Sequence, residues 1–179
     1  MPADYLLAFC RIAIGLLFVV SAIGKLRDFA AFRSSVAGFE LLPRAWSGRA
    51  AVGLLGTELG VVLLLAAGGP LLPVGLSLAA LVLLGFSAAL VAVLRRGLKV
   101  ACNCFGPTTR RVSAYDVVRN LVLFACAVLG AWALVASRQG LSATEVVLVA
   151  LMAGCFVALL TQLGDVAETL RRPFSVMEE

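Results

Sequence analysis

Cys102-Asn103-Cys104-Phe105-Gly106-Pro107 is the stretch of this chain best equipped for chemistry. Two thiols one residue apart can close a disulfide only in a tight, strained ring, and strain makes such a bond easier to reduce. Asn103 tolerates the unusual backbone angles of such a turn, and Gly106 tolerates any. Arg95, Arg96, Lys99, Arg110 and Arg111 surround the pair in sequence. Nearby cations favour the thiolate, which is the nucleophile in disulfide exchange. The alternatives are a structural staple, a metal-ligand pair or two idle thiols. A bridge across one residue closes almost no loop, so it stabilises little. Zinc usually takes four ligands, and neither a histidine nor a second close thiol pair accompanies this one, so no metal site is expected. Cys10, Cys126 and Cys155 stand in different apolar segments. They are expected to pack as small apolar side chains rather than to form a second pair.

The other unusual residues are charges inside apolar runs. Arg11 and Glu58 each interrupt such a run. Isolated charges there are costly, so they face the bundle interior and pair. By helical rise, Arg11 lies about 21 Å and Glu58 about 13 Å from the same membrane side, a gap a long arginine can bridge. The two are therefore read as an intramembrane pair. Gly56 and Gly60 follow the G-x-x-x-G spacing, with Gly53 on the same face, which permits close helix approach.

The elements that must hold these residues are membrane helices. Of the 179 residues 62% are hydrophobic and 14% are charged, against about 45–50% and 25% in soluble domains. With no histidine, a Ser-His-Asp triad, a His-ligated haem or a histidine relay is excluded. The positive balance of +5 is assigned to membrane topology rather than to nucleic acid. Five segments meet or approach the roughly 20 apolar residues a span needs. They are Tyr5–Gly24, Ala50–Ala67, Leu71–Leu94, Val117–Ala136 and Val146–Leu163. The first does not read as a cleaved signal, because Met1–Asp4 carries no Lys or Arg. In the connection Lys25–Arg49, the positions of Phe29, Phe32, Val36 and Phe39 share one helical face. That predicts a helix lying in the interface, apolar face down, ended by Leu41-Leu42-Pro43.

Twelve Lys and Arg fall on the side of the two long connections and the C-terminal tail, against Arg138 alone opposite. Charge bias would place the first side in the cytoplasm. A disulfide-forming role would place it outside, where disulfides persist. The external placement of the Cys-x-Cys loop is preferred, since cations beside the pair serve thiolate formation.

Taken together, Arg11, the Ser21-Ala22-Ile23-Gly24-Lys25 exit, Leu41-Leu42-Pro43, Glu58, the Cys102-x-Cys104-Phe105-Gly106 loop and Arg119-Asn120 resemble the MauE family of methylamine-utilisation membrane proteins. These belong with the DoxX-like membrane proteins. The resemblance covers the first span through the fourth. It implies a four-helix core and a role in redox maturation, such as making disulfides in the methylamine dehydrogenase small subunit. The outline is also similar to vitamin K epoxide reductase: a helical bundle, an interfacial helix and a dithiol before the fourth helix.

The expected architecture is all-α, a polytopic helical bundle of the inner membrane. Residues 1–136 form the four-helix core, and residues 137–179 form a fifth span with a short polar tail. The expected function is thiol–disulfide exchange through Cys102 and Cys104, supported by Phe105, Gly106, Arg119, Asn120 and Lys25. Its partners would be membrane lipid and a thioredoxin-like or exported thiol protein, with no nucleic acid. A membrane quinone is the candidate electron sink. The rival readings are a non-catalytic assembly or chaperone protein, and a small-solute transporter working through Arg11 and Glu58.

Overall fold

A backbone in hydrocarbon has no water to bond, so each apolar run closes its own hydrogen bonds as a helix. In the computed structural model, which describes residues 2–41, 43–98, 100, 112–137 and 140–171, five helices are long and apolar enough to cross a membrane. They are α1 (Pro2–Arg27), α3 (Arg44–Ala67), α4 (Leu72–Arg95), α5 (Ala114–Ala136) and α6 (Ala143–Arg171). A short helix, α2 (Phe29–Gly38), lies between the first two. No strand occurs among the described residues. The protein is a multi-pass, all-α membrane bundle.

Helices α1, α3, α5 and α6 outrun their apolar segments, whereas α4 matches its own within one residue at either end. Helix α5 begins at a capping box, in which the Ser113 backbone N–H and hydroxyl donate to Asp116 Oδ2 at 2.9 and 3.1 Å. Helices α3 and α4 are joined by Gly68 and a 3₁₀ turn at Gly69–Leu71. Gly68 and Gly69 have φ of +66° and +54°, which side-chain-bearing residues rarely adopt.

The core is one apolar cluster centred on α1, with Ile14, Leu17, Phe18, Leu65, Leu76 and Leu123 among its members. Helix α1 packs against α3, α5 and α6, while α4 packs against α3 and α5. The faces of Leu63, Leu81, Trp132, Val135 and Leu151 are exposed, as expected of side chains that meet lipid.

The predicted α2 is present and is N-capped by Asp28, which accepts from Ala31 N at 2.9 Å. Its apolar face differs from expectation. Phe32 and Phe39 are buried, α2 packs on α3, and Phe39 joins Leu90 and Val93 of α4 in a second small cluster. The bundle, rather than lipid alone, takes that face, because these rings pack against α3 and α4. Among the described residues the Gly53–Gly56–Gly60 face meets no neighbour: a Cβ added at any of the three would touch nothing within 4 Å.

Candidate functional site

The buried face of α1 runs Ile14, Leu17, Phe18, Ser21 and Ala22, and the same period reaches Lys25. Helical side chains point towards the N-terminus, so Lys25 reaches back along its own helix. Its Nζ donates to Ser21 Oγ at 2.8 Å and to Glu58 Oε1 of α3. Ser21 Oγ in turn donates to the Glu58 carboxylate, at 3.2 and 3.3 Å. Lys25 is 0% and Glu58 1% exposed. Phe32 and Phe86 flank the ammonium, with ring centroids 5.0 and 5.1 Å from Nζ. Such contacts attract a desolvated cation.

Helix α5 brings the remaining polar groups. Asp116, Arg119 and Asn120 are buried in its first two turns. Arg119 Nη2 lies 3.6 Å from Asp116 Oδ1. Arg119 and Asn120 join Ser21, Lys25, Glu58 and Phe86 around a cavity of about 20 Å³, which has room for a single water. Polar groups from three helices, α1, α3 and α5, thus converge with apolar side chains of α4 on one buried charged site that can hold or relay a proton.

This arrangement corrects the expected pairing of Arg11 with Glu58. Lys25 occupies the carboxylate, because α1 stays helical to Arg27 and carries Lys25 inside the bundle instead of leaving it in the connection. Arg11 instead donates to the carbonyls of Leu65 at 2.8 Å and Ala66 at 3.0 Å, through Nε and Nη2. These carbonyls belong to the last turn of α3, where helix geometry leaves acceptors unfilled and the dipole favours a cation. A Cβ at Gly68 would sit 2.9 Å from Arg11 Nη2, so glycine there also makes room for the guanidinium. We expect Arg11→Met to cost about 1.5–3 kcal/mol, the range for hydrogen bonds to charged groups. In thermal unfolding its effect should add to that of Glu58→Gln within about 0.5 kcal/mol. A strong coupling between the two substitutions would restore the original pairing.

Cys102, Cys104, Phe105 and Gly106 lie outside the described residues. The residues that bound their segment are described. Val112 N donates to Val100 O at 3.0 Å. Val100 and Val112 pack with Phe39, Leu90 and Val93. Leu90 also lines the cavity that holds Lys25 and Glu58. The residues that bound the cysteine segment and the buried polar site therefore share Leu90 as a wall. On the other side of Phe32 and Phe86 lies an apolar cavity of about 380 Å³ between α2, α3 and α4, also lined by Phe39, Leu54 and Gly85.

One feature escapes the sequence reading: Lys25 appears there only as a supporting residue, although the α1 face points to its burial. Cys10 is buried on α1 and Cys126 half-buried on α5. Cys155 is exposed on α6.

Residues 3–133 match the family model described as "Methylamine utilisation protein MauE". A curated relative, methylamine utilization protein MauE of Paracoccus denitrificans, is 36% identical over 118 residues. That match covers 65% of this chain and 63% of the relative, so it spans less than two thirds of the relative's length. No solved structure matches the chain. With the family model extending over α1 to α5 and the five-span bundle in place, the chain belongs to the MauE family of membrane proteins.

Proposed function

We propose that this protein is a membrane thiol–disulfide redox protein of methylamine utilisation, which supports disulfide formation or maturation of an exported partner of the methylamine dehydrogenase type. The observation that carries the reading is the shared wall. Val100 and Val112, which flank the Cys102–Cys104 segment in sequence, belong to one cluster with Leu90, and Leu90 lines the buried Lys25–Glu58 site. In the proposed reaction a partner thiolate attacks the Cys102–Cys104 disulfide and forms a mixed disulfide. The partner's second thiol then resolves it, leaving the partner oxidised and Cys102 and Cys104 as two thiols. Reoxidation of that dithiol releases two electrons and two protons, for which a membrane quinone would serve as the acceptor. The apolar cavity beside Phe32, Phe39 and Phe86 is of a size to hold a small apolar ring. Glu58, Lys25 and Ser21 supply groups that can hold a proton near that wall.

The test is the redox state of Cys102 and Cys104 in cells, read by alkylation with a membrane-permeant and then a membrane-impermeant reagent. The expected result is a mixture of disulfide and thiol that shifts to thiol when quinone reduction outpaces reoxidation. The impermeant reagent should reach the thiols from outside. A pair that stays fully reduced, or fully oxidised, under every respiratory condition contradicts the reading. Labelling only from the cytoplasmic face overturns the external placement.

A further inference from the structure

We propose that the groove between α1 and α3, on the membrane side where α1 begins, binds one anionic phospholipid, with its phosphodiester on Arg11 and one acyl chain along α1. The groove has a volume of about 460 Å³ and runs from Ala8 to Val19 on α1, against Val62 and Ala66 of α3, with Val146 of α6 also in its lining. Apart from Arg11 that lining is apolar. From Ala8 to Val19 the helical rise is about 16 Å, half of a hydrocarbon core of about 30 Å. That is the length of one leaflet, which an acyl chain fills.

Arg11 stands at the head of the groove. Its side chain points towards the start of α1 and ends at the last turn of α3, where the carbonyls of Leu65 and Ala66 take Nε and Nη2. A guanidinium carries five donors in a planar fork, and among the described residues Nη1 has no partner. Nor does any carboxylate among the described residues pair with this charge. The acids at this end are engaged elsewhere. Asp4 accepts from Ser137 Oγ at 2.7 Å, and Glu145 accepts from Tyr5 and from Ser142. An apolar channel that ends in a cation with donors to spare is complementary to an amphiphile with an anionic head. Phosphate oxygens suit the fork, and basic pockets between membrane helices take such heads. A quinone is the poorer occupant, because its head is uncharged. Arg11 also lies about 21 Å of helical rise before Lys25, far from the site to which the redox chemistry is assigned.

In the experiment the full chain is purified in dodecylmaltoside, stripped of lipid and mixed with phosphatidylglycerol or phosphatidylcholine of the same acyl chains. Native mass spectrometry counts the lipids that each chain retains. Wild type should retain one phosphatidylglycerol, about tenfold or more tightly than phosphatidylcholine, the scale of one charge-assisted contact. Arg11→Gln should erase that preference. Because Arg11 also fills the end of α3, a second variant leaves it in place. A Cβ at Gly15 meets nothing within 4 Å, so Gly15→Leu can plug the groove without a clash inside the bundle, and it should lose the retained phosphatidylglycerol. Glycerophosphate, a head without chains, should not compete. The proposal is overturned if both lipids are held equally, if Arg11→Gln keeps the preference, or if Gly15→Leu holds phosphatidylglycerol as wild type does. Competition by glycerophosphate overturns it too, as does displacement of the lipid by decylubiquinone, which would give the groove to a quinone. None of these readings depends on the state of Cys102 or Cys104, so the loop chemistry stands or falls separately.

Discussion

Lys25→Met should destabilise this protein by several kcal/mol, roughly 3–5, because it leaves the Glu58 carboxylate buried without its cation. Glu58→Leu should cost a similar amount by stranding the ammonium between Phe32 and Phe86. The double substitution Lys25→Met/Glu58→Leu should recover much of the loss, since no uncompensated charge then remains. The expectation rests on burial: the two groups are 0% and 1% exposed, and Ser21 bonds both. Surface ion pairs are worth only about 0–1 kcal/mol, so the size of the effect discriminates. Unfolding in detergent micelles, followed by helical circular dichroism, measures all three variants. Two silent single substitutions would remove the ion pair from the account of stability. A double variant that folds well but no longer supports redox turnover would locate the pair's value in proton handling.

The second large effect is on chemistry. Cys102→Ser and Cys104→Ser should each lower thiol–disulfide exchange by several orders of magnitude, because a serine hydroxyl replaces the thiolate nucleophile and cannot form the mixed disulfide. The measurement is oxidation of a dithiol peptide by the full chain in membranes, alongside maturation of the exported partner in cells. Cys155→Ser serves as the control and should leave both unchanged. Should either loop variant still support maturation, a non-catalytic assembly role replaces redox exchange. Should maturation instead depend on Glu58 alone, with both loop variants active, the transport reading takes over.

The comparison of Arg11 with Lys25 shows how far rise along a helix can be trusted. Counting 1.5 Å per residue placed Arg11 and Glu58 within an arginine's reach, and the bundle did not use that proximity. Depth is only one of three coordinates. Rotation of α1 about its axis turned Ser21 and Lys25 towards Glu58 and sent Arg11 to the end of α3. Extending the apolar face of α1 by one more period would have found Lys25, because Phe18, Ser21, Ala22 and Lys25 share it.

The spans, the helical class and the residues of the cysteine loop were determined by sequence alone. Hydrocarbon thickness and the need to satisfy every backbone group leave an apolar run of this length no other solution. The aromatic spacing of Phe29, Phe32 and Phe39 likewise sufficed to predict a helix between the first two spans. Tertiary structure decided which charges meet and where the apolar side of α2 goes. Those outcomes depend on the rotation, tilt and stagger of neighbouring helices, which packing sets. Glu58 could be recognised as a buried carboxylate from its place in an apolar run. Its choice of Lys25 over Arg11 came only when α1 and α3 packed with Ser21 between them.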